Sequence, residues 1–333
     1  MRVAPVPALV PHPHPPLTSS SAGGPISHVV ASVLSKLPPL HPSGPIYNAT
    51  QLVRTVKLSG HYQADVVLPL PSYTRLVLDG TLTATASLNA GEETNIEGYL
   101  GTGMVFATGA MIGVEGGVFN CSGWDPSTSL PHNGTTTLAG ILFNDVTGGW
   151  ITGAEVANCG CSSKAGPRGA TGYVSGNIWV RQGWGNAIEG VHSHHSCNRG
   201  VWAETSKLIV WGGVFNHNSA DGLDFDAGTQ KSVAYNNVCN NNSRHGVFLE
   251  EGASFNTIVS ECSRCSLSSI ANFSAKPHQD AGCRQHLPVQ PRELARTPPR
   301  CHPTRLIGFS LRARARECRR ALPPPGRRPT TSF

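Results

Sequence analysis

No stretch of these 333 residues reaches the roughly 20 consecutive apolar positions that a membrane-spanning helix needs. An apolar stretch follows Arg2, but prolines interrupt it and leave a poor secretory signal. Zinc-ligand spacing is missing too. Of the ten cysteines, Cys262 and Cys265 form the only CxxC, and no second pair or His pair completes a four-ligand site. Cys159 and Cys161 are too close for an ordinary bridge to each other. Cys121, Cys159, Cys197, Cys239 and Cys262 recur at similar places, which suits stacked thiols or bridges between repeats. Helical periodicity disappears beyond residue 37, and the period near 40 residues that a four-stranded-blade propeller requires is not seen.

Turns, alternation and a repeat are what the chain has. Glycine occurs 37 times and proline 26 times, which favours many turns and few long helices. Charge is divided along the chain. Residues 276–333 carry 13 Lys/Arg against 3 acids, a balance of +10, and residues 1–275 carry 13 against 17, a balance of −4. The basic end is Arg/Pro-rich and aperiodic; it reads as a disordered tail that buries no core. Nucleic acid is not an expected partner of the mildly acidic body. Five Asn-x-Ser/Thr sequons, at Asn48, Asn120, Asn133, Asn241 and Asn272, fit an extracellular or cell-wall location.

Residues 1–24 are rich in Pro, His and Ser and are expected to be disordered. Ile26, Val29, Val30, Val33, Leu34 and Leu37 fall on one face of a short amphipathic helix suited to capping an open sheet. From about residue 62 the period becomes two, with strand-like runs at 66–70, 74–78 and 80–86. The alternation continues to about 272, broken by turn-rich insertions at 122–137 and 160–176. Three stretches superpose at a spacing of 22 to 24 residues: SCNRGVWAE (196–204), NSADGLDFD (218–226) and NSRHGVFLE (242–250). Each places Gly200, Gly222 or Gly246 before an apolar–polar–apolar–acid run. A repeat of this length with strand alternation is one rung of a coil that stacks on itself. The expected fold is therefore all-β: a parallel β-helix over 45–272, preceded by the segment 1–44 with its capping helix and followed by the tail 273–333. A monomer is expected.

Stacking makes neighbours of residues far apart in sequence. Val201, Leu223 and Val247 point inward, as do Ala203, Phe225 and Leu249. Asn218 and Asn242 are placed to form an amide ladder at one turn. Trp202, Asp224 and Phe248 form an outward column. Glu204, Asp226 and Glu250 form a column of carboxylates about 4.8 Å apart. Such a column repels itself unless a cation or a substrate proton resolves it, which suits either calcium on Asp226 and Glu250 or a general acid/base pair. Asp224 and Asp226, two apart on one strand, suit the wider separation of inverting glycosidases; Asp226 and Glu250 suit the shorter, retaining one. Arg199, Asp221 and His245 form a cation–acid–imidazole stack, with Arg244 and His217 nearby in the same rungs. His192, His194, His195 and His217 also cluster, but strand alternation sends His194 and His195 to opposite faces, so zinc is not expected there. Trp179, Trp184, Trp202 and Trp211 suit stacking on sugar rings wherever they are exposed.

The opening VVLPLPSYTRLVLDGTL and the Asn-rich rungs at 207–262 resemble the right-handed parallel β-helix superfamily of pectate lyases, polygalacturonases and alginate epimerases. The resemblance covers roughly 60–272 and implies work on a polysaccharide along one sheet face. SADG (219–222) is similar to the NTDG rung of polygalacturonases, with Asp221 in the matching place. RHG (244–246) is similar to their GHG rung, with His245 in the matching place. Their Asp-Asp rung and RIK are missing here. Against pectate lyases, Arg199 would correspond to the arginine base, and Asp224 and Asp226 to calcium-binding aspartates. The resemblance thus implies a lyase, epimerase or hydrolase of a uronate-type polymer, with calcium or no cofactor. In the first two, Asp221 and His245 would handle the proton and Arg199 the carboxylate. In the third, Asp226 with Asp224 or Glu250 would serve as acid and base. The alternative is a non-catalytic solenoid that binds glycan or decorates a cell surface.

Overall fold

The computed structural model describes residues 17–20, 24–34, 53–86, 88, 94–96, 99–122, 135–162, 176–226, 228–250, 252–259, 268–272 and 281–282. All of them belong to Met1–Thr297, the first of two units into which the chain divides. The rest of the tail, most of the insertions at 122–137 and 160–176, and Cys262 and Cys265 lie outside the described residues. The described residues are almost entirely β, and their stacked parallel strands form a right-handed parallel β-helix.

Each full rung visits three ladders. The first runs through Gly113–Glu115, Trp150–Thr152, Ala187–Glu189, Ile209–Trp211, Val233–Tyr235 and Thr257–Val259. The second runs through Val118–Asn120, Glu155–Ala157, His192–His194 and Val214–Asn216. Both grow from the long strand Thr74–Ala84, which pairs with Gly113–Glu115 and with Val118–Asn120 and so fuses them into one 14-stranded sheet. The third ladder belongs to a separate 10-stranded sheet. It stacks Leu68–Leu70, Tyr99–Ala110, Thr135–Thr147, Gly176–Trp184, Arg199–Ser206, Leu223–Phe225, His245–Leu249 and Ser268–Asn272.

The register is the one the glycine alignment implies. Val201 pairs with Leu223 and Leu223 with Val247; Trp202 pairs with Asp224 and Asp224 with Phe248. The glycines have a steric reason. A Cβ on Gly200 would lie 2.5 Å from the Gly222 carbonyl oxygen, and one on Gly222 would lie 2.6 Å from that of Gly246. The chain enters the third ladder there with backbone against backbone, and only hydrogen fits between. The amide ladder is also present. Asn242 Oδ1 accepts from both Asn218 Nδ2 at 3.0 Å and Asn218 N at 3.1 Å, and Asn218 Oδ1 accepts from Ser196 N. Such bonds satisfy buried turn amides that the sheets cannot reach. The corners use left-handed backbone. Gly153, Gly190, Gly212 and Asn236 turn between the first and second ladders, and Asn158, His195, His217 and Asn241 turn after the second. Glycine and asparagine tolerate this region best.

The core is the inward half of each strand: Val105, Ile141, Ile178, Val201, Leu223 and Val247 in one column, with Phe143, Val180, Ala203, Phe225 and Leu249 beside it. Two disulfides join successive rungs at the corner between the second and third ladders: Cys121 to Cys159, and Cys161 to Cys197. Cys239 is a buried thiol in a later rung.

Three expectations change. Leu17–Ser20 is a strand, paired in parallel with Val56–Ser59, although its surroundings are Pro- and Ser-rich. Main-chain hydrogen bonding to an open strand edge asks little of side-chain type. At the other end the first ladder passes residue 272, because Ala281–Gly282 pairs with Ile258–Val259. His195 does not point away from His194. Its φ of 53° ends the strand and turns the ring back, leaving the two Nδ1 atoms 2.6 Å apart. The helix is Ile26–Leu34; Ile26 is buried, Val29 packs on the core, and Ser27 N donates to Asp65 Oδ1 at 3.0 Å. The Asp65 carboxyl loses solvation on burial, but its hydrogen bonds from Ser27 hold it below the usual value.

Candidate functional site

From Leu142 to Phe248 the third ladder is buried on both faces. Its outward column runs from the exposed Pro69 into Phe106, Leu142, Trp179 and Trp202, and these four with Ala139 form an apolar cluster outside the coil. Trp179 and Trp202 stack with ring centroids 4.5 Å apart. The same column then changes character at Asp224, and Phe248 follows it. Alternation puts Asp224 outward because Leu223 and Phe225 fill the coil, so its carboxyl enters an aromatic face rather than solvent.

Around Asp224 the chain gathers opposite charges. Arg199 Nε donates to Asp224 Oδ2, and the Arg199 guanidinium lies 5.5 Å from the Trp202 ring centroid. The Trp202 indole N–H donates to Asp226 Oδ2. Asp221 Oδ1 accepts from the His245 backbone N at 3.0 Å and faces His245 Nδ1 at 2.7 Å. Arg244 Nη2 lies 3.6 Å from Asp221 Oδ2. Phe248 carries both neighbours on its ring, with His245 stacked at 4.8 Å and the Arg244 guanidinium at 5.0 Å. Asp221 and Asp224 are each 0% exposed. Asp221 Oδ2 and Asp224 Oδ1 are buried without a hydrogen-bond partner among the described residues.

Burial dominates the electrostatics. It pushes the Asp224 carboxyl up to about 7; Arg199 opposes the rise, and Asp221 and Asp226 add to it. Burial by itself would lower the Arg199 guanidinium, but Asp224, Asp221 and Asp226 together raise it above its usual value. The cluster thus holds a carboxyl able to give or take a proton near neutral pH, next to a permanent cation and an Asp–imidazole pair.

Asp221, Asp224, Asp226, Arg199, Trp202, Arg244 and His245 are brought together. Arg199, expected beside Asp221, feels that carboxylate's charge and donates through Nε to Asp224. Glu204 stacks above Arg181, with Arg181 Nε 3.9 Å from Glu204 Oε2. Glu250 continues the acid column through its backbone, which donates to the Phe225 carbonyl. Asp226 and Glu250 belong to no group of three or more converging metal-ligating side chains among the described residues. His217 belongs elsewhere: it sits on the corner after the second ladder, stacked on His195 at 5.2 Å. Phe248 stands beside Asp224 as the glycine alignment implies, whereas Arg181 lies outside the aligned rungs and carries no signal in them.

The second ladder carries the histidines. Glu155 pairs in register with His192, and His194 Nε2 lies 3.2 Å from Glu155 Oε1. The His194 pKa is lowered, first by burial and then by His192 and His195, while Glu155 opposes them. Trp184 is 53% exposed at the end of its strand, and Trp211 stacks on Tyr235 at 5.7 Å along the first ladder.

The fold and this outer face define the class of the molecule, a right-handed parallel β-helix. Comparison with solved structures agrees. The Dettilon tailspike protein is similar, with a TM-score of 0.50 and 16% identity; the match covers 67% of this chain and 41% of the tailspike. The chain therefore spans less than half of that protein's length. Two mannuronan C-5 epimerase A-modules of Azotobacter vinelandii also match. One has a TM-score of 0.29 and 15% identity over 66% of this chain and 49% of the module; the other has 0.27 and 10% over 69% and 91%. At these identities the likeness is one of fold. No protein-family model matches the sequence, and no curated protein does.

Proposed function

We propose that the protein is a polysaccharide-active enzyme that works on a uronate-type polymer, with its acid/base centre at Asp221, Asp224 and His245. The observation that carries this reading is Asp224: a fully buried carboxyl raised to about 7, one rung from Arg199 and within a cluster that also holds an Asp–His pair. Such shifted groups gather where proton transfer is needed. In this reading the Asp221–His245 pair takes the proton from C5 of a uronate. The electron pair left on carbon is stabilised through the neighbouring carboxylate group, which a guanidinium neutralises. Arg244, with 40% of its side chain exposed, is better placed to meet that carboxylate than Arg199, with 11%. Protonated Asp224 then supplies the proton, to the departing glycosidic oxygen in elimination or back to carbon in epimerisation. Hydrolysis by Asp224 and Asp226 is the third form. No step is assigned to calcium, because Asp226 Oδ2 is already engaged by the Trp202 indole and a hard cation takes six to eight oxygens. The reading requires the covered face to open to the polymer from the side of Arg244 and His245.

The two disulfides suit an oxidising compartment and hence an extracellular setting. No described helix is long and apolar enough to cross a membrane. The complete burial of Asp221 and Asp224 favours a second reading, a non-catalytic glycan-binding solenoid in which the cluster only holds rungs together. Pectate, alginate and related polymers, with and without calcium, separate the two. Ultraviolet absorbance of unsaturated product, new reducing ends and a changed C5 configuration are measured for the native protein and for Asp224→Asn. Enzyme activity that falls by about 100-fold or more in the variant, with glycan binding retained, supports the first reading. Binding without any of the three products sinks it and leaves the second.

A further inference from the structure

We propose that Glu155, His192 and His194 form a binding site for one divalent transition-metal cation of the zinc class on the outer face of the second ladder. The inference stands apart from the catalytic reading, since it uses none of the acidic cluster. Strands Glu155–Ala157 and His192–His194 are adjacent and in register, Glu155 against His192 and Ala157 against His194. Val156 and Ser193 between them are buried, so alternation turns Glu155, His192 and His194 outward together. One ligand atom from each lies within 4.8 Å of the other two, the only such group among the described residues. The distance from His194 Nε2 to Glu155 Oε1 is 3.2 Å. Two ligands each about 2.0–2.2 Å from a tetrahedral zinc are themselves about 3.3 Å apart.

The neighbours orient the rings as they would around a metal. His192 Nε2 faces Asn216 Oδ1 at 3.3 Å in the next rung, and His194 Nδ1 faces His195 Nδ1 at 2.6 Å. Each imidazole thus has one nitrogen held by a neighbour and another left for a ligand role. The His192 and His194 rings are tilted by 37° with centroids 4.3 Å apart, so they converge rather than lie flat on each other. Two imidazoles and one carboxylate suit zinc, nickel or copper(II) over calcium or magnesium. With 42% of the Glu155 side chain and 17% of His194 exposed, solvent can complete the coordination. A cation there would clamp two successive rungs.

The test uses the full-length protein, titrated calorimetrically with zinc and spectroscopically with cobalt(II). The native protein is expected to show one saturable site, a tetrahedral cobalt spectrum and a melting temperature that rises with zinc. Glu155→Gln and His194→Ala are each expected to weaken that site by at least about 100-fold, and Asn216→Ala by about tenfold through loss of ring orientation. His61→Ala, an exposed histidine outside the group, is expected to change nothing. Melting each variant without zinc separates lost binding from lost folding; isosteric, half-exposed Glu155→Gln keeps the test valid if His194→Ala unfolds. Isotherms unchanged by Glu155→Gln and His194→Ala, or the absence of saturable binding, overturn the proposal.

Discussion

The outer faces of the second and third ladders carry similar amounts of titratable chemistry on the same scaffold and treat it in opposite ways. On the third, Asp221 and Asp224 are fully buried and Asp226 nearly so, set against Arg199, Arg244, His245 and a wall of tryptophan. On the second, Glu155, His192 and His194 stay partly open, and histidine meets histidine. Water can solvate the second group, so imidazoles can crowd there. It cannot solvate the first, so every carboxylate near Arg199 must be paired, protonated or hydrogen-bonded. The lesson is that a column of polar residues on a β-helix is not one kind of site. Its cover decides whether charge is stored or displayed.

The comparison can be broken most sharply at Arg199. Arg199→Met leaves Asp224 buried opposite no cation, and loss of about 3–5 kcal/mol in chemical denaturation is expected. The double variant Arg199→Met with Asp224→Leu should recover much of that loss. A single variant as stable as the native protein would mean that the face is wetter than its burial indicates. Next in size is the corner that joins the two faces. Each disulfide closes a long loop, with a sequence separation of 38 for Cys121 and Cys159 and of 36 for Cys161 and Cys197. Replacing either pair with serine is expected to cost up to about 4 kcal/mol by loop entropy, read as a lower denaturation midpoint.

A smaller effect sharpens the contrast in protonation. Asp224 has a folded pKa raised to about 7 from its ordinary 3.8. The folded state therefore holds a proton that the unfolded state has released, and stability falls as pH rises from about 4 to about 7, then levels. A three-unit shift carries at most about 4 kcal/mol, and relaxation around the charge reduces what is measured. Asp224→Asn is expected to flatten the stability profile in that window, by comparison with native protein at each pH. An unchanged slope would show that Asp224 stays ionised throughout.

Much of this architecture is legible in the sequence, and the parts that are not have physical causes. The spacing of Gly200, Gly222 and Gly246 is visible because backbone contact between rungs admits no side chain. The stacking of Asn218 on Asn242 is visible because buried turn amides need the same partner in each rung. The neighbours of Asp221 follow from the register alone. The sequence places Arg199 near Asp221 but leaves its hydrogen bond to Asp224 open, since a long flexible side chain can reach either carboxylate and the choice lies in packing. The face of His195 is not legible, since alternation ends wherever the backbone becomes left-handed, and histidine gives little warning of that. Leu17–Ser20 is not legible because its pairing is made by main chain. Glu155 is not legible because a rung lengthened by the insertion at 160–176 hides its alignment with His192.

The sequence by itself determined the repeat, the inward and outward alternation and therefore which residues stack, because these follow from strand geometry and from sterics that act locally. Only the tertiary structure decided which stacked columns are dry. Burial of Asp224 against Trp202, and the convergence of Glu155, His192 and His194 on an open face, depend on what lies over each ladder and on where side chains from different rungs meet.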